Sequence, residues 1–258
     1  AGKEFASFFP DDRLPDKAIL VALLSAGFFV TLATFSRIPV SASQAIVGGV
    51  AGVGLGIVGM NAAYFKLGVL LKIFGAWVIS PVLTMVLAGT LYYLLGLFLR
   101  RASSILWSQF MAVAVVVSAA YVSYSLGAND VGNAIGPLLS KFPDHGMWLA
   151  LLGGVAMALG AFTFGERVTH TVGKSITPLD YAGALSAQFA AAFGVHLFSI
   201  AGIPVSTSQA VVGGVIGVGL TKGMAAVSGR KIGTIFIGWV VTPTCAAVFA
   251  ALFYRLVS

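Results

Sequence analysis

The sequence predicts an all-α, polytopic transmembrane helical bundle, and three observations carry that expectation. Hydrophobic residues make up 59% of the chain against 9% charged, with a mean hydropathy of +1.00, so there is too little polar surface for a water-soluble globule. Apolar stretches of about 20 residues, long enough to cross a bilayer core as helix, recur from end to end. A block of 18 residues occurs twice, 38–55 matching 203–220 at 15 positions, which marks an internal duplication.

Taken in order, residues 1–17 are polar, with Asp11, Asp12 and Asp16, and read as a loop. An apolar segment spans Ala18–Phe35. A second, Ile38–Met60, opens with Pro39-Val40-Ser41-Ala42-Ser43-Gln44 and continues glycine-rich. The third, Tyr64–Leu99, is too long for one straight crossing, and Pro81 either kinks it or divides it into two partial spans. Segments follow at Ile105–Tyr124, Met147–Phe164, Tyr181–Ile200, Val205–Leu220 and Ile232–Leu256.

The net charge of +7 is scattered through short loops, the placement expected of cytoplasm-biased Lys and Arg rather than of a nucleic-acid surface. Cys245 is single, so no disulfide or thiolate framework is expected. His145, His170 and His196 lack metal-ligand spacing, no nucleophile–base pair emerges, and an enzyme is not expected. The start carries no cleavable signal pattern.

The duplication extends beyond the 18-residue block. Trp77-Val-Ile-Ser-Pro81 echoes Trp239-Val-Val-Thr-Pro243, and Gly2-Lys3 falls opposite Gly173-Lys174. If the third segment crosses once, an inverted relation gathers Arg100-Arg101 and Arg230-Lys231 on one side, as the charge bias requires, whereas a parallel relation separates them. The expected organisation is one membrane domain of two inverted repeats, 1–101 and 102–258, with interrupted or re-entrant helices. The first repeat reads as N-terminally incomplete, because the counterpart of Gly127-Ala-Asn-Asp130 would lie before Ala1.

That stretch, Gly127–Pro137, concentrates the polar chemistry. Asp130 is one of four acidic residues after position 16, and it stands between Asn129 and Asn133 among small residues where helices can break. A carboxylate at the end of a membrane segment marks a functional site by default. Its oxygens and those of the carboxamides suit a hard cation such as Na⁺, and Asn129 and Asn133 share a face if the turn is helical. The two Pro-Val-Ser-x-Ser-Gln units suit the opposite charge. A proline stops the preceding helix, and hydroxyls and free amides at the next N-terminus favour an anion. Ser41, Ser43, Gln44, Ser206, Thr207, Ser208 and Gln209 are therefore candidates to encircle a tetrahedral oxyanion between the repeats, where secondary transporters bind substrate. In the polar island Gly165–Lys174, Glu166 is a secondary candidate for ion coupling, against a loop-end ion pair with Arg167 or His170.

These motifs resemble the PiT inorganic phosphate transporter family, solute carrier family 20, over essentially the whole chain. The resemblance rests on Gly127-Ala-Asn-Asp-Val-Gly-Asn-Ala134, the Gly173-Lys174 island and the paired Pro-Val-Ser-x-Ser-Gln units. It implies symport of inorganic phosphate with Na⁺ or H⁺, alternating access, about a dozen membrane segments in a multi-pass plasma-membrane protein, and a homodimer. It also implies that Asn129, Asp130 and Asn133 join Ser206, Thr207, Ser208, Ser41 and Ser43 in the phosphate and cation site. Ala42 replaces the hydroxyl of Thr207, so the two anion-binding turns are not equivalent. Two other readings stay open at this point: a related sulfate permease, and a non-transporting scaffold or sensor subunit. Phosphate is favoured because it can donate a proton to a carboxylate and sulfate cannot.

Overall fold

A computed structural model describes residues 15–36, 40–58, 66–99, 104–139, 141–224 and 227–257. Among these residues the secondary structure is helical: α1 (Asp16–Phe35), α2 (Ala42–Val58), α3 (Leu67–Leu99), α4 (Ser104–Leu126), α5 (Gly132–Leu139), α6 (Gly146–Ser175), α7 (Tyr181–Ile200), α8 (Thr207–Lys222) and α9 (Gly229–Val257). One π-helical turn, Gly127–Val131, joins α4 to α5. Gly2-Lys3, Pro39 and Arg100-Arg101, used above in the argument for duplication and orientation, lie outside the described residues.

Among the described residues six segments are long and apolar enough to cross a membrane: Asp16–Phe35, Leu67–Phe98, Gln109–Leu139, Pro143–Gly165, Tyr181–Ile200 and Gly229–Val257. Large apolar side chains face outward along these segments, Phe162 and Val116 among them, as a hydrocarbon solvent favours. The chain is a multi-pass helical membrane protein. Local chemistry explains the helix ends. Asp180 caps α7 by accepting from the Gly183 N–H at 2.8 Å, and Ser206 caps α8 by accepting from the Gln209 N–H at 3.2 Å. Gly202, with φ of 79°, turns the chain out of α7 in the left-handed conformation that glycine tolerates.

Two expected interruptions are absent. Pro81 does not divide the third segment, because α3 runs unbroken through it for 33 residues. At 1.5 Å per residue such a helix exceeds a bilayer core of about 30 Å and has to tilt. Gly127–Pro137 is not a break either. The helix continues by widening one turn, which keeps most backbone groups paired where no water is available. Likewise the polar island Gly165–Lys174 lies within α6.

Two hairpins and two long helices build the interior. α1 packs on α2, and α7 on α8. Each hairpin's second helix then packs most extensively on the long helix of the other repeat, α2 on α9 and α8 on α3. Glycines make these crossings possible. A Cβ at Gly48 or Gly52 would strike the Pro243 or Ala247 carbonyl of α9, and one at Gly213 or Gly217 would strike the Pro81 or Met85 carbonyl of α3. Within the hairpins, a Cβ at Gly49 would stand 2.6 Å from the Ala22 carbonyl oxygen, and one at Gly214 would stand 2.8 Å from that of Ala187. Every one of these contacts has a counterpart in the other half. One apolar core joins α1 and α2 to Ile73 and Trp77 of α3 and Ala246 and Ala250 of α9. A second joins α7 and α8 to Ala88 of α3 and Ile235 and Trp239 of α9.

The start of the second hairpin is clamped. Tyr92 donates to Asp180 at 3.1 Å, Lys222 stands 3.4 Å from the same carboxylate, and Lys222 also donates to the Pro178 carbonyl at 2.9 Å. Burial raises the Asp180 carboxyl, but the Gly183 N–H, the Lys222 charge and the Tyr92 hydroxyl together outweigh it and hold it below the ordinary carboxylate range. In the first hairpin Asp16 pairs instead with Lys141, beyond α5.

Two stability tests follow from this packing. Gly217→Ala forces α8 away from α3 and costs about 1–3 kcal/mol, the usual range for overpacking, whereas Gly75→Ala, with open space at its Cβ, gains about 0.5–1 kcal/mol of helix stability. Thermal unfolding in detergent reads both. A carboxyl held low in the fold stabilises the protein above its unfolded pKa and loses that contribution as pH falls through the folded one. Asp180→Asn therefore unfolds at a lower temperature than wild type at pH 7, and the two converge below about pH 4.

Candidate functional site

The two Pro-Val-Ser-x-Ser-Gln turns meet at the π-helical turn. Val205 precedes the cap of α8, and its carbonyl accepts from the Ser43 hydroxyl at 2.8 Å and from the Asn129 carboxamide at 3.0 Å. The Asn129 oxygen in return lies 3.4 Å from the Val205 N–H. Asn133 donates to Ser43 at 2.7 Å. Asn129, Asn133, Ser43 and Ser206 are all buried, so this junction is a closed polar network inside the bundle.

Asp130 lies at the edge of that network, half-buried. Its Oδ1 accepts from Asn129 at 2.8 Å and stands 3.5 Å from the Ser43 hydroxyl, while its Oδ2 accepts from Thr207 at 3.1 Å. Hydroxyls from both repeats thus converge on the two oxygens of one carboxylate, and all three partner side chains are neutral. The widened turn makes this possible. Its extra residue shifts the phase between α4 and α5, so Asn129, Asp130 and Asn133 turn inward together while much of α4 faces outward.

Chemically the cluster is rich in oxygen acceptors: both Asp130 oxygens, the Val205 carbonyl, the carboxamide oxygens and Ser43. The Asn133 carboxamide oxygen is buried with no hydrogen-bond partner, which leaves it available to a cation. Beside them the first turns of α2 and α8 present helix N-termini, whose free N–H groups favour negative charge. The hydroxyls divide between these roles. Ser41 and Ser206 cap the two helices, each accepting an N–H at 3.2 Å, and Ser208 lies 3.1 Å from Ser206.

Of the sequence candidates, the structure therefore gathers Ser43, Asn129, Asp130, Asn133 and Thr207 into one hydrogen-bonded cluster, with Ser41, Ser206 and Ser208 on the flanking turns. Gln44 and Gln209 go elsewhere. One residue past the inward serine, each side chain turns towards a separate apolar cavity between α3 and α9. Glu166 lies on α6, and its side chain is outside the described ones. The participant that sequence reasoning missed is Val205, which acts through its backbone. Its position between Pro204 and Ser206 in the duplicated motif was the available signal.

Comparison with known proteins identifies the family. The sequence profile of the phosphate transporter family matches residues 4–116 and 102–250. A "putative phosphate permease" of Methanocaldococcus jannaschii is 31% identical over 239 residues, 92% of this chain and 75% of that protein. Sodium-dependent phosphate transporter 2 of Felis catus is 36% identical over 152 residues, 55% of this chain and 23% of its own length. Among solved structures, the sodium-dependent phosphate transporter superposes with a TM-score of 0.83 at 26% identity, over 93% of this chain and 79% of that one. By profile, by relatives and by fold, this chain belongs to the phosphate transporter family.

Proposed function

We propose that the protein is a plasma-membrane symporter that carries inorganic phosphate together with Na⁺ or H⁺, by alternating access about a site between two inverted halves. The observation that carries this reading is the junction itself: Ser43 of one repeat and Thr207 of the other converge on Asp130, beside two helix N-termini. An anion drawn to the helix ends and a cation drawn to the oxygens neutralise one another, so each favours binding of the other. Such reciprocal coupling is what symport requires. In this reading Asn129, Asp130 and the Asn133 oxygen hold the cation. The hydroxyls of Ser206, Thr207 and Ser208, with Ser41 and Ser43, face the phosphate. Glu166 remains a secondary cation ligand, and the assembly is a homodimer. Relatives described as sodium-dependent phosphate transporters support Na⁺ as the coupling ion.

Inversion is supported by where the hairpins meet α3. The second hairpin lies at its C-terminal end, where Tyr92 reaches Asp180 and Thr221 donates to the Gly89 carbonyl at 3.5 Å. The first hairpin shares its core with Val69, Leu70 and Ile73 at the opposite end. Since α3 crosses once, hairpins anchored at its two ends enter from opposite faces, and their tips touch in between.

Uptake of radiolabelled phosphate into proteoliposomes, under an imposed Na⁺ or pH gradient and with sulfate as competitor, tests this reading. Gradient-driven phosphate uptake that sulfate does not suppress is expected, and uptake blocked by sulfate but indifferent to unlabelled phosphate overturns it. Asp130→Asn abolishes gradient-driven uptake while the protein still purifies folded. Thr207→Ala removes one hydrogen bond to a charged group and lowers stability by about 1.5–3 kcal/mol, read by thermal unfolding in detergent.

A further inference from the structure

The apolar cavity between α3 and α9, of about 550 Å³, is floored by the first turns of α2 and α8. Its lining comes in matched pairs from the two repeats: Phe74 with Phe236, Trp77 with Trp239, Pro81 with Pro243. Its exposed rim carries Val78 and Val240, 68% and 69% exposed, each well inside a membrane-spanning helix. The cavity therefore opens sideways, at the depth of the hydrocarbon core.

We propose that this cavity binds one acyl chain of a bilayer lipid, entering between α3 and α9. Gln44 and Gln209 are the polar residues in the lining; their carboxamide oxygens and the indole N–H groups of Trp77 and Trp239 are unpartnered, but they are buried behind the cavity surface rather than exposed on it. The surface left facing the cavity is apolar. Water held there needs two to four polar partners, and the polar surface presented is too small to supply them. A dry void of this size leaves its walls without packing partners. Its volume falls within the range of ligand pockets, about 300–1,000 Å³, and the solvent at its mouth is lipid. A headgroup cannot reach this depth, but a tail can.

Occupancy there touches the transport machinery. Gln44 follows Ser43 directly, and Gln209 follows Ser208. Pro81 and Pro243 also line the cavity, and their carbonyls are the surfaces on which Gly213 and Gly48 ride. A chain seated in the cavity therefore braces both hairpin tips against both long helices, and this bracing ties lipid composition to the conformation of the Asp130 junction.

The test uses the intact protein in vesicles of phosphatidylcholine containing a trace of the same lipid with a diazirine on one acyl chain. After photolysis, the labelled residues are mapped by peptide mass spectrometry. Label is expected on Trp77, Met85 and Trp239, which lie behind the mouth, as well as on freely exposed α6 residues such as Phe162. Val78→Trp with Val240→Trp plugs the mouth and is expected to abolish the inner label while α6 labelling stays unchanged. Label on α6 with none on Trp77 or Trp239 in the wild-type protein overturns the proposal, whether or not the plugged variant folds. Persistence of the inner label in a folded plugged variant also overturns it. So does an intermolecular disulfide at Val78→Cys in a Cys245→Ser background, which would mean that a second copy covers the mouth.

Discussion

Backbone-to-backbone approach at four glycines is the constraint on which the rest of this bundle depends. Lipid tails are as apolar as leucine, so helices in a membrane gain little by hiding apolar side chains from their surroundings. Close packing and matched polar groups must supply the cohesion. Gly48 and Gly52 let α2 lie directly on α9, and Gly213 and Gly217 let α8 lie directly on α3. Because each hairpin leans on the other repeat's long helix, neither half is complete alone. The interlock draws the two serine-rich turns together, and only then can Ser43 reach the Val205 carbonyl and Thr207 reach Asp130.

The polar junction shows how a membrane protein holds a carboxylate without a fixed cationic partner. Asp130 is bonded by neutral donors from three separate elements, and its half-buried position keeps it at the rim rather than in the sealed core. Asn129 and Asn133 do the sealing. Asn129 ties the π-helical turn to the turn before α8 through the Val205 carbonyl, and Asn133 ties the start of α5 to Ser43 of the other serine-rich turn. The order at this site is therefore set by the protein, while the charged group stays within reach of what binds there.

Much of this was legible in the residues. The duplicated block announced paired turns, and the four-residue spacing of Asn129 and Asn133 announced a shared face. The failures have physical reasons. Glycine-rich, carboxamide-rich segments break helices in water because water takes over the freed backbone groups. In lipid nothing does, so Gly127–Pro137 widens a turn instead of opening. Of the two expectations for Pro81, a kink or a division into partial spans, the division is excluded, since α3 carries the proline within one helix. Gln44 and Gln209 were grouped with the serines by adjacency in sequence, although a helix turns about 100° per residue and sends neighbours to different sides. The exchange of long helices between repeats could not be read at all. Its trace was the repeated Trp and Pro of 77–81 and 239–243, which says that two positions are alike and not what they touch.

The π-helical turn has one more consequence. A crossing with a single inserted residue is a spliced rod whose two ends are rotated against each other. Before the splice, Phe110, Val113, Val116 and Val117 present an oily exterior, and after it Ile135, Gly136 and Pro137 are shut inside. One continuous span is thus outer wall for most of its length and inner machinery for the remainder. The seam where it changes character is the place where its only acid sits.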